Sequence, residues 1–246
     1  MADAAAFPAE TQVDRGQLAQ PTVQAPPITP GKVAMWLFLA TEVMFFTGLI
    51  GSYIVLRAGS PPTSYSDKYA PNTDPVEMTG DVKFHSWPAP YDPATNPLSI
   101  DLTAFNTFIL ICSSVSMVMA LAAIQRGDQR KLSLWLLATV LIGAVFLGIQ
   151  VYEYYQLLFG HHFPVGISAS GHFRPSSSLF ASCFFAMTGF HGAHVAGGVV
   201  MLLCLFVQSL RGVYTRDHHN SVELIGLYWH FVDLVWILLF TVVYLV

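Results

Sequence analysis

The sequence predicts an all-α integral membrane protein, a bundle of five transmembrane helices with its N-terminus inside and its C-terminus outside. Of its 246 residues, 54% are hydrophobic and only 11% are charged, with a mean hydropathy of +0.53, whereas about a quarter of a soluble domain is charged. The charges are also segregated, so that long stretches carry almost none. A net charge of −4 without any basic cluster gives no indication of nucleic-acid binding.

The N-terminal segment differs in composition from the rest of the chain. Its first thirty residues are polar and rich in alanine and proline, and they lack the basic start and apolar core of a secretory signal. We therefore predict a disordered cytoplasmic tail over residues 1–31 and a transmembrane domain over residues 32–246.

Five apolar stretches are long enough to cross a membrane. A bilayer core of about 30 Å requires about 20 consecutive apolar residues of helix. The predicted spans are 33–56, 102–124, 132–158, 178–207 and 224–246. The fourth is long enough to tilt or to project beyond the lipid.

The distribution of basic residues predicts the orientation, because lysine and arginine near span ends are retained on the cytoplasmic side. Those on the N-terminal side of the predicted bundle outnumber those on the opposite side, most clearly in the short loops. The first group is Arg15, Lys32, Arg126, Arg130, Lys131, Arg211 and Arg216; the second is Arg57, Lys68, Lys83 and Arg174. The linker 59–101 and the loop 160–175 are then external.

Several ionisable residues lie inside the predicted spans, where each costs about 2.5–3.5 kcal/mol on the insertion scale and therefore suggests a function. They are Glu42, Glu153, His191, His194, His230 and Asp233. A rise of about 1.5 Å per residue places Glu42, His191 and Asp233 near the midplane, where partners on different helices can meet in a polar layer. Glu153 is expected near the external end of its span, capping or pairing close to the outer surface.

Each of these residues admits more than one role. His191 and His194 could hold a haem or a metal, since imidazole is the commonest metal ligand, or make structural hydrogen bonds. Glu42 could carry protons, sense lipid, or bond a neighbouring helix as a protonated carboxyl. His230 and Asp233 suggest a structural pair or a catalytic one. No H-E-x-x-H motif accompanies them, and no metal site is predicted.

Close helix packing is predicted on the fourth span. Gly189, Ala193 and Gly197 recur every four residues and form a stripe of small side chains on one helix face. Such stripes allow backbones to approach closely in membranes.

Four motifs resemble subunit III of the haem–copper oxidases. In chain order they read WLFLATEVMFFTG, IQVYEYYQ, TGFHGAHVAGG and RDHHNSVELIGLYWHFVDLVW. The resemblance covers residues 31–246 except for the linker 59–101. It matches the five-helix bacterial form, which lacks the first two helices of the seven-helix version.

This resemblance implies a subunit without catalytic residues or a redox centre of its own. Its relatives pack against catalytic subunit I, which holds the haems and copper, and support proton uptake while the complex reduces oxygen and pumps protons. Subunit II, small subunits or a respiratory supercomplex are the further partners implied, together with bound phospholipid in a bacterial inner (plasma) membrane. Glu42 matches the family's buried glutamate. The family's other polar positions, structural or lipid-associated, correspond to His191, His194, Glu223, His230 and Asp233.

Alternatives remain open at this stage. The motifs do not separate a cytochrome c oxidase from a quinol oxidase or from a component of a nitric oxide reductase. A haem-binding membrane cytochrome would use His191 or His194 with His230, and a proton-coupled transporter would use Glu42 and Asp233. Arg211 and Arg216 are candidates for binding anionic lipid head groups at the membrane surface.

Overall fold

Five long helices account for nearly all of the described chain. The computed structural model describes residues 29–59, 98–159, 173–175, 179–216 and 218–245. The helices are α1 (Pro30–Ala58), α2 (Ile100–Gln125), α3 (Gln129–Phe159), α4 (Leu179–Leu210) and α5 (Asn220–Phe240), and α5 continues into a π-helical turn over Thr241–Leu245. All five are long and apolar enough to cross a membrane, and no strand occurs in these ranges. The predicted all-α, five-span architecture is confirmed.

Some of the predictions fall outside this description. The tail up to residue 28, the linker over 60–97 and the loop over 160–172 are not among the described residues. The N-inside orientation stays a prediction, because no membrane is present.

Most helix ends lie a few residues beyond the predicted spans. α1 begins at Pro30 and α5 at Asn220, ahead of the predicted starts at residues 33 and 224. Proline is well placed in a first turn, since its missing N–H would have no helical acceptor there. Hydropathy locates the apolar core of a span, whereas the helix itself continues into the polar boundary.

Short connections make α2 antiparallel to α3 and α4 antiparallel to α5. Gly127 after α2 and Gly212 after α4 have φ angles of +79° and +69°, a left-handed conformation that glycine adopts without strain at a helix C-terminus. We call the end of the bundle that holds the starts of α1, α3 and α5 the proximal end. The opposite end, where α2 and α4 begin, is the distal end.

Helices α2 to α5 pack closely around two tryptophans of α5. Trp229 and Trp236 are fully buried. A Cβ atom added to Gly143 of α3 would lie 2.7 Å from the Trp229 ring, and one added to Gly198 of α4 would lie 2.8 Å from it. The indole therefore occupies a slot between α3 and α4 that only glycine permits, and its Nε1 donates to Ser113 Oγ of α2 at 2.9 Å.

The predicted small-residue stripe is not the tightest contact of α4. A Cβ added to Gly189 or Gly197 would meet only a tyrosine hydroxyl, at 3.7 and 3.9 Å, which is ordinary van der Waals contact. The tightest glycine contact on α4 is instead at Gly198, because the indole of α5 inserts there.

Helix α1 packs differently, along one narrow seam against α4 and α5. Its buried residues, Leu39, Phe46 and Tyr53, recur every seven positions. This spacing is typical of a helix that touches its neighbours along a single stripe. Large apolar side chains on its other faces, such as Trp36 and Met44, are exposed.

Candidate functional site

The first polar cluster joins α1 to α4. Glu42 Oε2 lies 3.0 Å from His194 Nε2, and the two side chains are only 17% and 20% exposed. The His194 ring is bordered by Phe45 and Phe46, with ring centroids 6.4 and 5.2 Å away. Tyr228 of α5 donates to the His194 carbonyl at 2.9 Å, so this cluster touches three helices.

The hydrogen bonds of His194 fix the position of one of its ring protons. Nδ1 is 2.7 Å from the carbonyl oxygen of Phe190, and a carbonyl can only accept, so Nδ1 carries a hydrogen. The contact between Nε2 and Glu42 then contains one proton, held either by the carboxyl or by the imidazole. In both arrangements the pair has no net charge, which suits a site surrounded by apolar rings.

His191 is fully buried one turn before His194. Its Nε2 lies 3.1 Å from the carbonyl oxygen of Val232, to which it donates. The ring packs 4.7 Å from the Trp236 ring and 6.1 Å from that of Phe146. Its Nδ1 has no hydrogen-bond partner among the described residues. This imidazole therefore ties α4 to the backbone of α5.

A third cluster joins α2 to α5. His230 Nδ1 lies 3.1 Å from Ser114 Oγ, and the Ser114 hydroxyl donates to Asp233 Oδ2 at 2.7 Å. The two ionisable residues suggested as a pair are thus linked through a serine of another helix. Asp233 is buried, and within the described chain its second oxygen has no hydrogen-bond partner.

Glu153 points into the bundle, where hydroxyl groups of other elements contact its carboxyl group. It is 6% exposed and accepts hydrogen bonds from Thr103 of α2 at 3.0 Å and from Tyr244 at 3.4 Å. Its position is near the distal end of α3, as predicted. The structure turns it inward because α2 and the π-helical turn supply hydroxyl donors.

The remaining predicted residues lie at the proximal end. Glu223 pairs with Lys32 of α1 at 2.7 Å and with His219 at 3.2 Å. Arg211 and Arg216 are exposed between α4 and α5. Outside the spans, the Lys131 side chain holds the pKa of Asp128 below its ordinary value by hydrogen bonding, while Asp128 Oδ1 accepts the backbone N–H of Lys131 at 3.1 Å.

The predicted midplane layer becomes three separate clusters. Asp233 directly follows Val232, whose carbonyl binds His191, and His194 is one turn from His191, so these groups lie at similar heights. Each nevertheless faces a different helix: Glu42 meets α4, His191 meets the α5 backbone, and Asp233 meets α2.

Sequence reasoning missed the hydroxyl residues that satisfy these groups. Ser114 bridges His230 and Asp233, and Ser113 accepts the Trp229 indole. Ser116 hydrogen-bonds Thr139 of α3 at 2.7 Å. The available signal was the run CSSVS in the middle of the second span, an unusual density of hydroxyls in an apolar stretch.

The arrangement gives no support to haem or metal binding by these histidines. His194 uses both ring nitrogens and His191 uses Nε2 in hydrogen bonds within the protein. In the part of the chain that the structure describes, no three His, Cys, Asp or Glu side chains converge as a metal site would require. The polar groups connect helices to one another.

Comparisons with known proteins agree on one family. The family model described as cytochrome c oxidase subunit III matches residues 26–246. The chain is 36% identical over 210 residues to "Cytochrome c oxidase subunit 3" of Synechocystis sp., covering 85% of this chain and 72% of that protein. It is 30% identical over 215 residues to the protein of that name from Alkalihalophilus pseudofirmus, covering 87% and 85%. A "Probable quinol oxidase subunit 3" of Staphylococcus saprophyticus is 30% identical over 216 residues, covering 87% and 88%.

Proposed function

Because the chain belongs to the cytochrome c oxidase subunit III family and is thereby a non-catalytic subunit III of a haem–copper oxidase, we propose that it stabilises the catalytic subunit and supports proton uptake during oxygen reduction. The complex is a bacterial respiratory oxidase of the cytochrome c type. Its partners are subunit I, which carries the haems and copper, and subunit II, with small subunits or a supercomplex beyond them. The chain crosses the inner membrane with its proximal end in the cytoplasm.

One observation supports a scaffold role most directly. The intramembrane acids lie in hydrogen bonds between helices: Glu42 with His194, Asp233 with Ser114 and Glu153 with Thr103. Groups satisfied in this way fix helix positions.

Purification of the native complex tests this proposal. A tag on this chain should recover a larger subunit with haem absorption bands, and the complex should oxidise reduced cytochrome c. A complex that accepts electrons only from quinol would favour the second reading, which the quinol oxidase relative supports. A chain that purifies alone in stable form would contradict the assignment to an oxidase.

Removal of the chain tests the supporting role separately. An oxidase lacking it should begin turnover at a comparable rate and then lose activity progressively, because proton delivery no longer keeps pace with oxygen reduction. Restoring the chain by co-expression is the control. Equal turnover lifetimes with and without the chain would contradict the proposal.

We also propose that Arg211 and Arg216 bind anionic lipid head groups. Both are exposed just after α4, at the proximal end, where basic side chains meet the membrane surface. Replacing both by glutamine should reduce the anionic phospholipid retained in native mass spectrometry. Retention of zwitterionic lipid is the internal control and should not change. Unaltered anionic lipid would contradict this proposal.

A further inference from the structure

A cavity lies between α1, α2 and α5 in the proximal part of the bundle. Its volume is about 280 Å³, and it is bordered by Lys32 and Glu223 toward the proximal end and by His230 further in. Glu223 and His230 are seven residues apart on α5, which corresponds to about 10 Å along the helix. A single water needs roughly 10–15 Å³ of such space, so the cavity has the volume for several waters; its polar groups are at the two ends, and its lining between them is mostly aliphatic.

The inner end of this cavity meets the third polar cluster. His230 lines the cavity, and its Nδ1 contacts Ser114 Oγ at 3.1 Å. Ser114 in turn reaches Asp233 Oδ2 at 2.7 Å. A continuous hydrogen-bonded path therefore joins the cavity to a buried carboxyl.

A serine between a histidine and a carboxylate can pass a proton, because a hydroxyl donates and accepts at the same time. A proton that arrives from cavity water at Nε2 of His230 allows the Nδ1 proton to move to Ser114 Oγ. The original Ser114 proton then moves to Asp233 Oδ2. The result is a neutral His230 with its hydrogen on Nε2 and a protonated Asp233; no electron is transferred, and the reverse sequence returns the proton.

Asp233 has the features of the end of such a path. It is 7% exposed, and its Oδ1 has no hydrogen-bond partner among the described residues. A buried carboxylate with an unpartnered oxygen is costly, and protonation removes that charge. Its neighbour His191 donates to the Val232 carbonyl and not to Asp233.

The other charged groups near this path are already paired. Lys32 and Glu223 at the proximal end of the cavity form an ion pair at 2.7 Å, with His219 also on Glu223. Glu42 of α1 pairs with His194 of α4. Asp101 of α2 and Glu153 of α3 lie toward the distal end. His230 is therefore the titratable group placed to exchange protons between the cavity and Asp233.

We propose that Asp233 is a proton-exchanging carboxyl in the middle of the bundle, reached from the proximal end through the cavity and the His230–Ser114 relay. This gives the supporting role in proton uptake a specific site, and to that extent it rests on the proposed function. The exchange itself requires no turnover. It can fail while the chain still co-purifies with an oxidase.

Infrared difference spectroscopy of the native complex tests the path. The carboxyl band of Asp233 is identified by its absence in Asp233→Asn. After transfer from H₂O to D₂O at several pH values, this band should shift as the Asp233 proton exchanges for deuterium. In Ser114→Ala this exchange should be about a hundredfold slower, the scale of a lost positioned proton donor. Ser116→Ala is the matched control, because that serine is buried on the same helix but hydrogen-bonds Thr139.

A second pair of variants tests the cavity without touching the relay. Leu121→Trp fills space in the cavity and should slow the same exchange, whereas Leu134→Trp on the exposed face of α3 should not. This pair and the wild-type measurement remain informative if Ser114→Ala fails to assemble. Absence of an exchanging Asp233 band in the wild type, unchanged exchange in Ser114→Ala or Leu121→Trp, or an acyl chain found filling the cavity would each overturn the proposal.

Discussion

Helix α1 and the four helices α2 to α5 are held in place by different means. In the most apolar 18-residue stretch of each helix, 11% of the residues are buried in α1, whereas 44% are buried in α2 and in α5. The four-helix part is fixed by close backbone approach, with the Trp229 ring against Gly143 and Gly198. By contrast, α1 packs along a narrow seam and makes polar contacts to its neighbours, among them Glu42–His194 with α4 and Lys32–Glu223 with α5.

The difference follows from the membrane as solvent. Lipid chains are as apolar as leucine, so burial of apolar surface alone does not drive helices together. Association then depends on shape fit or on polar bonds between helices. The core of the bundle combines shape fit with polar bonds, whereas α1, which has little close packing, depends to a larger extent on its polar bonds.

The largest effect is expected where shape fit is tightest. Gly198→Leu or Gly143→Leu forces a side chain into the Trp229 ring, and overpacking of this kind costs about 1–3 kcal/mol and occasionally more. The measurement is the thermal stability of the purified complex. Gly148→Leu and Gly192→Leu are matched controls, since a Cβ at either meets nothing within 4 Å. Equal stability of the two pairs would show that the tryptophan slot is adaptable.

A second effect tests a polar bond inside the core. Asp233→Leu removes the acceptor of the Ser114 hydroxyl, and a buried donor left without an acceptor costs about 1–3 kcal/mol. We expect a lower denaturation midpoint for this variant. The double variant Asp233→Leu with Ser114→Ala should recover part of the loss, because it removes the stranded hydroxyl. Wild-type stability of the single variant would contradict the pairing.

A smaller effect tests the polar attachment of α1. Interhelical polar contacts in membranes contribute about 0.6 kcal/mol on average and about 1.7 at most. Glu42→Leu should lose such a contribution and loosen α1, as seen in faster proteolysis or hydrogen exchange of that helix. Glu42→Gln should retain assembly, since the amide N–H can donate to His194 Nε2 as a carboxylic acid does. Loss of assembly in Glu42→Gln would show that the pair is ionised.

The smallest effect concerns the turn between α2 and α3. The pKa of Asp128 is held low by Lys131, so its stabilising contribution is complete above the ordinary aspartate pKa of about 4 and is lost as pH falls through the lowered folded-state value. Asp128→Asn should therefore weaken the acid dependence of thermal stability slightly. Asp101→Asn, at the other end of α2, is the comparison. If the loss of thermal stability at low pH is the same in Asp128→Asn as in the wild type, the Asp128–Lys131 interaction does not contribute to stability.

The sequence predicted the helices well because spanning a membrane is a local property. Each span must satisfy its own backbone hydrogen bonds and exceed the thickness of the hydrocarbon core, and both requirements can be evaluated from about twenty consecutive residues. The structure bears out all five spans, with ends displaced by only a few residues. The four motifs likewise indicated the subunit III family before any comparison.

The hydrogen-bond and packing partners of the polar residues were harder to predict than the positions of these residues along the helices. Chain position gives the height of Glu42, His191 and Asp233 in the membrane, but the direction in which each points depends on the rotation of its helix. Successive residues differ by about 100° around the axis, so rotation by a single residue presents a different side chain to a neighbour. Ser114 and Gly198 were missed as partners for this reason, as was Thr103 as the donor to Glu153.

By itself, the sequence determined that five helices are long and apolar enough to cross a membrane, which family they belong to and how far along its helix each acid and imidazole lies. Only the tertiary structure decided that Glu42 meets His194, that a serine links His230 to Asp233, and that Trp229 fits between two glycines. Helix formation is governed by neighbours in the chain and by the thickness of the lipid. The rotation of one helix against another is governed by side chains that are distant in sequence, and these meet only in the folded bundle.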